Sequence, residues 1–100
     1  MKTELTLKEL KEMKGVALID LNATWCGPCR MLKPVLERLD DEMSDVEFYG
    51  IDVDDKSEFA EEFGVSSIPC VILVKDGKEL ARSVGFKPYD QIKNFINQYK

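Results

Sequence analysis

The sequence predicts an α/β domain, a mixed sheet covered by helices on both faces. Three observations carry this. Strand-like and helix-like segments alternate through most of the chain. Asp76-Gly77, between two strand-like runs, is a strong hairpin signal. The last segment is amphipathic at helical spacing. One hundred residues leave room for one core, so a single domain over residues 1–100 is expected.

In chain order, Thr6 and Glu9 have capping-box spacing, Leu7, Leu10 and Met13 suit a short first helix, and Gly15 fits its stop. Val16 to Leu21 is apolar except for Asp20 and reads as a strand buried on both faces. Leu32, Val35, Leu36, Leu39 and Met43 follow helical spacing, so a long helix should begin near Cys26. Pro34 falls inside it, cannot bond the Arg30 carbonyl and should kink it. Val46 to Val53 reads as a strand. Asp55 with Glu58 offers a second capping pattern, Phe59, Ala60 and Phe63 face inward, and Gly64 ends that helix. Val71–Val74 and Glu79–Val84 form the hairpin strands, and Gly85 interrupts. Pro88 suits the first position of a last helix whose apolar face is Tyr89, Ile92, Phe95, Ile96 and Tyr99.

The composition, 44% hydrophobic and 33% charged, is that of a globular chain. A net charge of −5 offers no basic patch to displace counterions, which argues against nucleic acid and anionic membranes as partners. The longest apolar runs, Val16–Ile19 and Val71–Val74, are too short to cross a bilayer or to form a signal-peptide core. The polar start carries no targeting pattern, so a cytoplasmic location is the expectation. Three cysteines do not read as a disulfide framework. The absence of histidine leaves a carboxylate of raised pKa or a thiolate as the only base near neutral pH.

Trp25-Cys26-Gly27-Pro28-Cys29 lies between a strand and a helix. Cys26 at the helix N-terminus would meet unpaired N–H groups and the positive end of the macrodipole, which stabilise a thiolate. Cys29, one turn on, is close enough to close a short disulfide. Cys26 is thus expected to be the exposed attacking sulfur and Cys29 the buried resolving one. An inert local disulfide is one alternative. Half of a four-thiolate metal site is another, but only Cys70 remains to complete it. Sulfur-pair chemistry calls for no cofactor and no metal.

Ala23-Thr24-Trp25-Cys26-Gly27-Pro28-Cys29-Arg30 resembles the active-site segment of thioredoxins, and the resemblance spans nearly the whole chain. Asp20 matches that family's buried aspartate, Pro34 its helix-kinking proline, Ile68-Pro69 its cis-proline loop and Gly85 a glycine of its substrate groove. The resemblance implies a thioredoxin fold, a central mixed five-stranded sheet flanked by four helices. It implies a redox disulfide between Cys26 and Cys29, reduction of protein disulfides through a mixed disulfide, and recharging by a thioredoxin reductase. Disulfide-containing proteins, such as peroxiredoxin-type or reductive enzymes, would be the partners of a monomer. Two alternatives are a reductant dedicated to one partner and a binding module whose groove matters more than its thiols.

Within that resemblance, Asp20 is the candidate proton acceptor and donor for Cys29, since desolvation would raise its pKa toward the range a base needs. A slipped register would instead leave it at a surface edge. Pro69 is expected cis, with an ordinary trans proline at a strand start as the alternative. A cis bond would turn the Ile68 backbone toward Cys26, where a substrate peptide could pair as an added strand. Trp25, Gly27, Pro28, Ile68, Gly85 and Phe86 would rim that groove.

Three positions depart from the family pattern. Phe48 stands where a lysine usually neighbours the aspartate, Asn22 replaces a tryptophan, and Cys70 follows the proline where threonine is common. Cys70 is a candidate accessory thiol beside the redox pair, or else a small buried hydrophobe. The acidic run from Asp52 to Glu62 lacks a calcium loop's glycine and spacing and reads as a solvated face.

Overall fold

The computed structural model describes Met1–Lys100. Thr6 starts α1 (Leu7–Glu12) with the expected capping box: its side chain accepts from the Glu9 N–H, and the Glu9 carboxylate accepts from the Thr6 N–H. The helix ends earlier than expected, on Met13 in extended conformation. Gly15 instead serves the next turn, donating its N–H to Asp76 Oδ1 at 2.8 Å.

Four strands follow: β1 (Val16–Asn22), β2 (Val46–Asp52), β3 (Cys70–Lys75) and β4 (Lys78–Val84). They form one sheet in the order β2-β1-β3-β4, with β1 and β2 parallel and the other pairs antiparallel. The mixed sheet is as expected, but it has four strands rather than five. The N-terminal segment where a further strand could pair makes only one bridge, Lys2 to Tyr49.

Helices α2 (Gly27–Glu42) and α4 (Tyr89–Tyr99) cover one face, and α1 and α3 (Ser57–Phe63) cover the other. The side-chain alternation of the strands sorts the core. Leu18, Val71, Leu73 and Phe48 pack with Leu32, Leu36, Leu39, Ile92 and Ile96. Ile19, Leu21, Cys70, Ile72 and Val74 pack with Leu10 and Phe59. Each such fully buried Leu, Ile or Phe contributes about 1.5–3 kcal/mol. Phe48 is therefore a core residue opposite Leu18, and no cation occupies its position.

Pro34 lies within the continuous α2. The expected cap of α3 by Asp55 is not made. Lys56 is the N-cap and makes no side-chain capping bond. At the other end Gly64 is left-handed, and the Gly64 and Val65 N–H groups reach the Glu61 and Ala60 carbonyls, a Schellman stop. The hairpin turn has positive φ at both Asp76 (50°) and Gly77 (82°), the primed turn that suits twisted strands. Gly77 is required twice over, because a Cβ there would also overlap the Lys11 carbonyl. Pro88 is the N-cap of α4 rather than its first residue, and Tyr99 stays exposed, tilted on Phe95. No helix is long and apolar enough to cross a membrane.

Candidate active site

Because β1 and β2 are parallel, the turns that leave them lie at the same end of the sheet. The turn after β1 carries Trp25 and Cys26, and the turn after β2 carries Asp54. The indole N–H of Trp25 donates to Asp54 Oδ2 at 2.9 Å, although the ring is 67% exposed. Asp54 was part of the acidic run read as a solvated face, so its role at the site was missed. The parallel pairing of Val46–Val53 with β1 was the signal that could have found it.

Cys26 is the N-cap of α2, and its sulfur accepts from the Cys29 N–H at 3.3 Å. An N-cap acceptor meets the unpaired amides of the first turn, and at this position a thiolate gains most from them. Cys26 and Cys29 are joined as a disulfide, with Cα atoms 5.3 Å apart. Their expected difference in exposure is absent: Cys26 is 5% and Cys29 4% exposed. Closing one turn of helix by a short link tucks both sulfurs against Ala23, Val53 and Ile68. The two differ in what they face. Cys26 Sγ lies 4.0 Å from the carbonyl oxygen of Ile68, while Cys29 lines a cavity behind the disulfide.

The Ile68–Pro69 bond is cis, as expected. Pro69 is buried, and its carbonyl accepts from the Gly85 N–H at 2.8 Å, which fastens the loop to the end of β4. Gly85 has φ 88°, a conformation that favours glycine. Of the residues expected to rim the groove, Trp25 and Pro28 are exposed and Gly27, Ile68 and Gly85 half-exposed. Phe86 departs from the expectation. It is half-buried and packs against the core beneath α2 and α4.

Asp20 is the one buried charged residue, on the β1 face covered by α2. Its position opposite Gly50 on β2 rules out the surface-edge alternative. Burial pushes its carboxyl up to about 6, against the opposing effect of a hydrogen bond from Asn22. It shares with Cys29 a cavity of about 560 Å³, open to solvent.

Cys70 is fully buried. Strand alternation points it into the core beneath α1 and α3, while α2 and the redox pair cover the other face. The accessory-thiol expectation meets this geometry badly, and the small-hydrophobe alternative fits it. Burial also pushes the Cys70 thiol pKa up, which keeps it protonated. No group of three or more metal-ligating side chains converges anywhere in the chain.

The sequence matches the family model described as Thioredoxin over residues 3–98. It is 53% identical over 85 residues to a thioredoxin of Chlamydia caviae, covering 85% of this chain and 83% of that protein. Among solved structures it resembles Fasciola hepatica thioredoxin over the full length of both chains, with 34% identity and a TM-score of 0.90. It also resembles a chain from a structure concerned with the thiol-resolving mechanism in yeast mitochondrial 1-Cys peroxiredoxin via glutathione and thioredoxin systems. That match has 33% identity and a TM-score of 0.85, covering 96% of this chain and 94% of that one. With 53% identity to a named relative over 85 residues and a family model matched nearly end to end, this chain belongs to the thioredoxin family of thiol–disulfide oxidoreductases.

Proposed function

We propose that the chain, acting as one domain over residues 1–100, reduces protein disulfides with Cys26 as nucleophile, Cys29 as resolving thiol and Asp20 as proton acceptor. The observation that carries this is the N-cap placement of the Cys26 sulfur, with Cys29 facing the same cavity as a buried carboxyl. The Cys26 thiolate attacks one sulfur of the target disulfide, forming a mixed disulfide and releasing the other sulfur as a thiolate. The Cys29 thiol then gives its proton to Asp20 and attacks Cys26 Sγ. The Cys26–Cys29 disulfide forms, and the target's second sulfur leaves with the bonding pair. Two electrons pass to the target, and each of its sulfurs ends as a thiol. The rim of Trp25, Gly27, Pro28, Ile68, Pro69 and Gly85 would hold an extended segment of the target beside Cys26.

A thioredoxin reductase would return two electrons to the pair. Peroxiredoxin-type proteins are one class of target that the likeness to the yeast peroxiredoxin-related structure supports. We further propose that the protein works as a monomeric electron carrier in the cytoplasm, where a reducing poise maintains the dithiol form.

The test is trapping. With a disulfide-bonded protein as target, Cys29→Ser should accumulate a mixed disulfide with Cys26, and Cys26→Ser should accumulate none and lose activity. Turnover by Cys26→Ser would overturn the assignment.

A further inference from the structure

Asp20 and Asn22 are two residues apart on β1, so their side chains stand side by side on the face beneath α2. The Asn22 amide nitrogen donates to the Asp20 main-chain oxygen at 3.1 Å and to Asp20 Oδ2 at 3.2 Å. The first bond holds the amide in place and the second holds one carboxylate oxygen. Asp20 Oδ1 is buried and has no hydrogen-bond partner. Gly50, opposite Asp20 on β2, puts no side chain over it, and the cavity that Asp20 and Asn22 border with Cys29 passes there. A buried acceptor left unpaired is costly, so its presence on the wall of a cavity beside the redox pair asks for a use.

We propose that Asn22 is a positioning residue for the proton step: it holds Oδ2 and leaves Oδ1 as the free acceptor that takes the Cys29 proton and releases it into the cavity. The inference rests on the reading of Asp20 as proton acceptor given above.

The charged groups around this cavity do not offer Asp20 another partner. Arg30 of α2 donates to the Thr24 carbonyl, and Lys56 after β2 donates to the carbonyls of Thr3 and Leu5. Asp52 accepts from the Asp54 N–H. Glu4 of the N-terminal segment, Lys33 and Glu37 of α2 and Asp55 after β2 are exposed. Cys29 and, behind the sheet, Cys70 are the neighbouring thiols. Asn22 alone donates to the carboxylate, and its bond favours the ionised form against the effect of burial.

Asn22→Leu keeps the side chain's size and removes the donor, whereas Asn22→Ser keeps a short donor. Two readouts separate the cases: the Asp20 carboxyl titration followed by carbon NMR, and the pH dependence of protein-disulfide reduction. In Asn22→Leu both the carboxyl titration and the acidic limb of the rate profile should move up by about one pH unit, and Asn22→Ser should bring both most of the way back. The rate of Asn22→Leu below the limb should then fall about tenfold, with little change at alkaline pH. An Asp20 titration that stays in place in Asn22→Leu would overturn the positioning role even if Asp20 is the base. A rate limb that persists unchanged in Asp20→Asn would overturn the reading of Asp20, and with it this inference.

Discussion

Replacing Asp20 with asparagine should stabilise the fold at neutral pH by an amount that vanishes in acid. The carboxyl titrates at about 6 in the folded chain, against an ordinary 3.8, because burial opposes its charge. Below 3.8 the folded and unfolded chains both hold the proton, and the group does not affect stability. Between 3.8 and about 6 the unfolded chain ionises while the folded chain resists, so the native state loses ground as pH rises. Above about 6 the penalty is complete. About two pH units at ~1.36 kcal/mol each give about 3 kcal/mol, a substantial part of the ~5–15 kcal/mol that holds a domain folded. Urea unfolding of the oxidised protein and of Asp20→Asn, from about pH 4 to about pH 8, measures it. Any fixed effect of the amide cancels when only the pH-dependent part of the difference is read. The variant's advantage should grow by about 3 kcal/mol and level off near neutrality. A difference that stays constant across the range, or that shrinks as pH rises, would refute the desolvated carboxyl.

Alkylation of the reduced protein by a substoichiometric reagent near pH 7 should label Cys26 ahead of Cys29, because only Cys26 caps α2; peptide mass spectrometry reads the order. Cys70 should resist both that reagent and hydrogen peroxide until the chain unfolds, and Cys70→Ala should keep most reductase activity while destabilising by about 1–2 kcal/mol. Labelling or oxidation of Cys70 in the native protein would restore the accessory-thiol idea. Gly77→Ala should destabilise by about 1–3 kcal/mol in urea unfolding, since it meets both a positive φ and the Lys11 carbonyl. A neutral substitution there would show that α1 yields at no cost.

The parts of this site that were legible in the sequence are those fixed by local geometry. A cysteine at a strand-to-helix junction becomes an N-cap wherever the helix goes, and Thr6 with Glu9 or Asp76 with Gly77 likewise act within a few residues. Asp20 stood out because it is a charge that interrupts an otherwise apolar strand, and its register against Gly50 settles that it is buried. What the sequence hid depends on which strands meet. The direction of Cys70 could not be read from Cys70–Val74, since a strand buried on both faces shows no alternation. Only its register against Leu21 decides the face. The Trp25–Asp54 bond and the cavity between Asp20 and Gly50 both arise from the β1–β2 pairing. Asp55 offered a sound capping pattern, yet the chain enters α3 through Lys56, whose ammonium is held by the N-terminal segment. There a tertiary contact outweighs the local preference.

The two cysteines of the disulfide have different neighbours, Cys26 the Ile68 carbonyl and Cys29 the cavity that Asp20 lines, and on the proposed cycle this separates two kinds of traffic. On the proposed cycle electrons cross at Cys26, on the apolar rim where a partner's backbone would exclude water. Protons would leave from Cys29 through the cavity that Asp20 and Asn22 line. On that cycle, changes of shape around Trp25, Ile68 and Gly85 would retune which proteins are reduced without altering how the reaction responds to acidity. Changes at Asn22 or Gly50 would do the reverse.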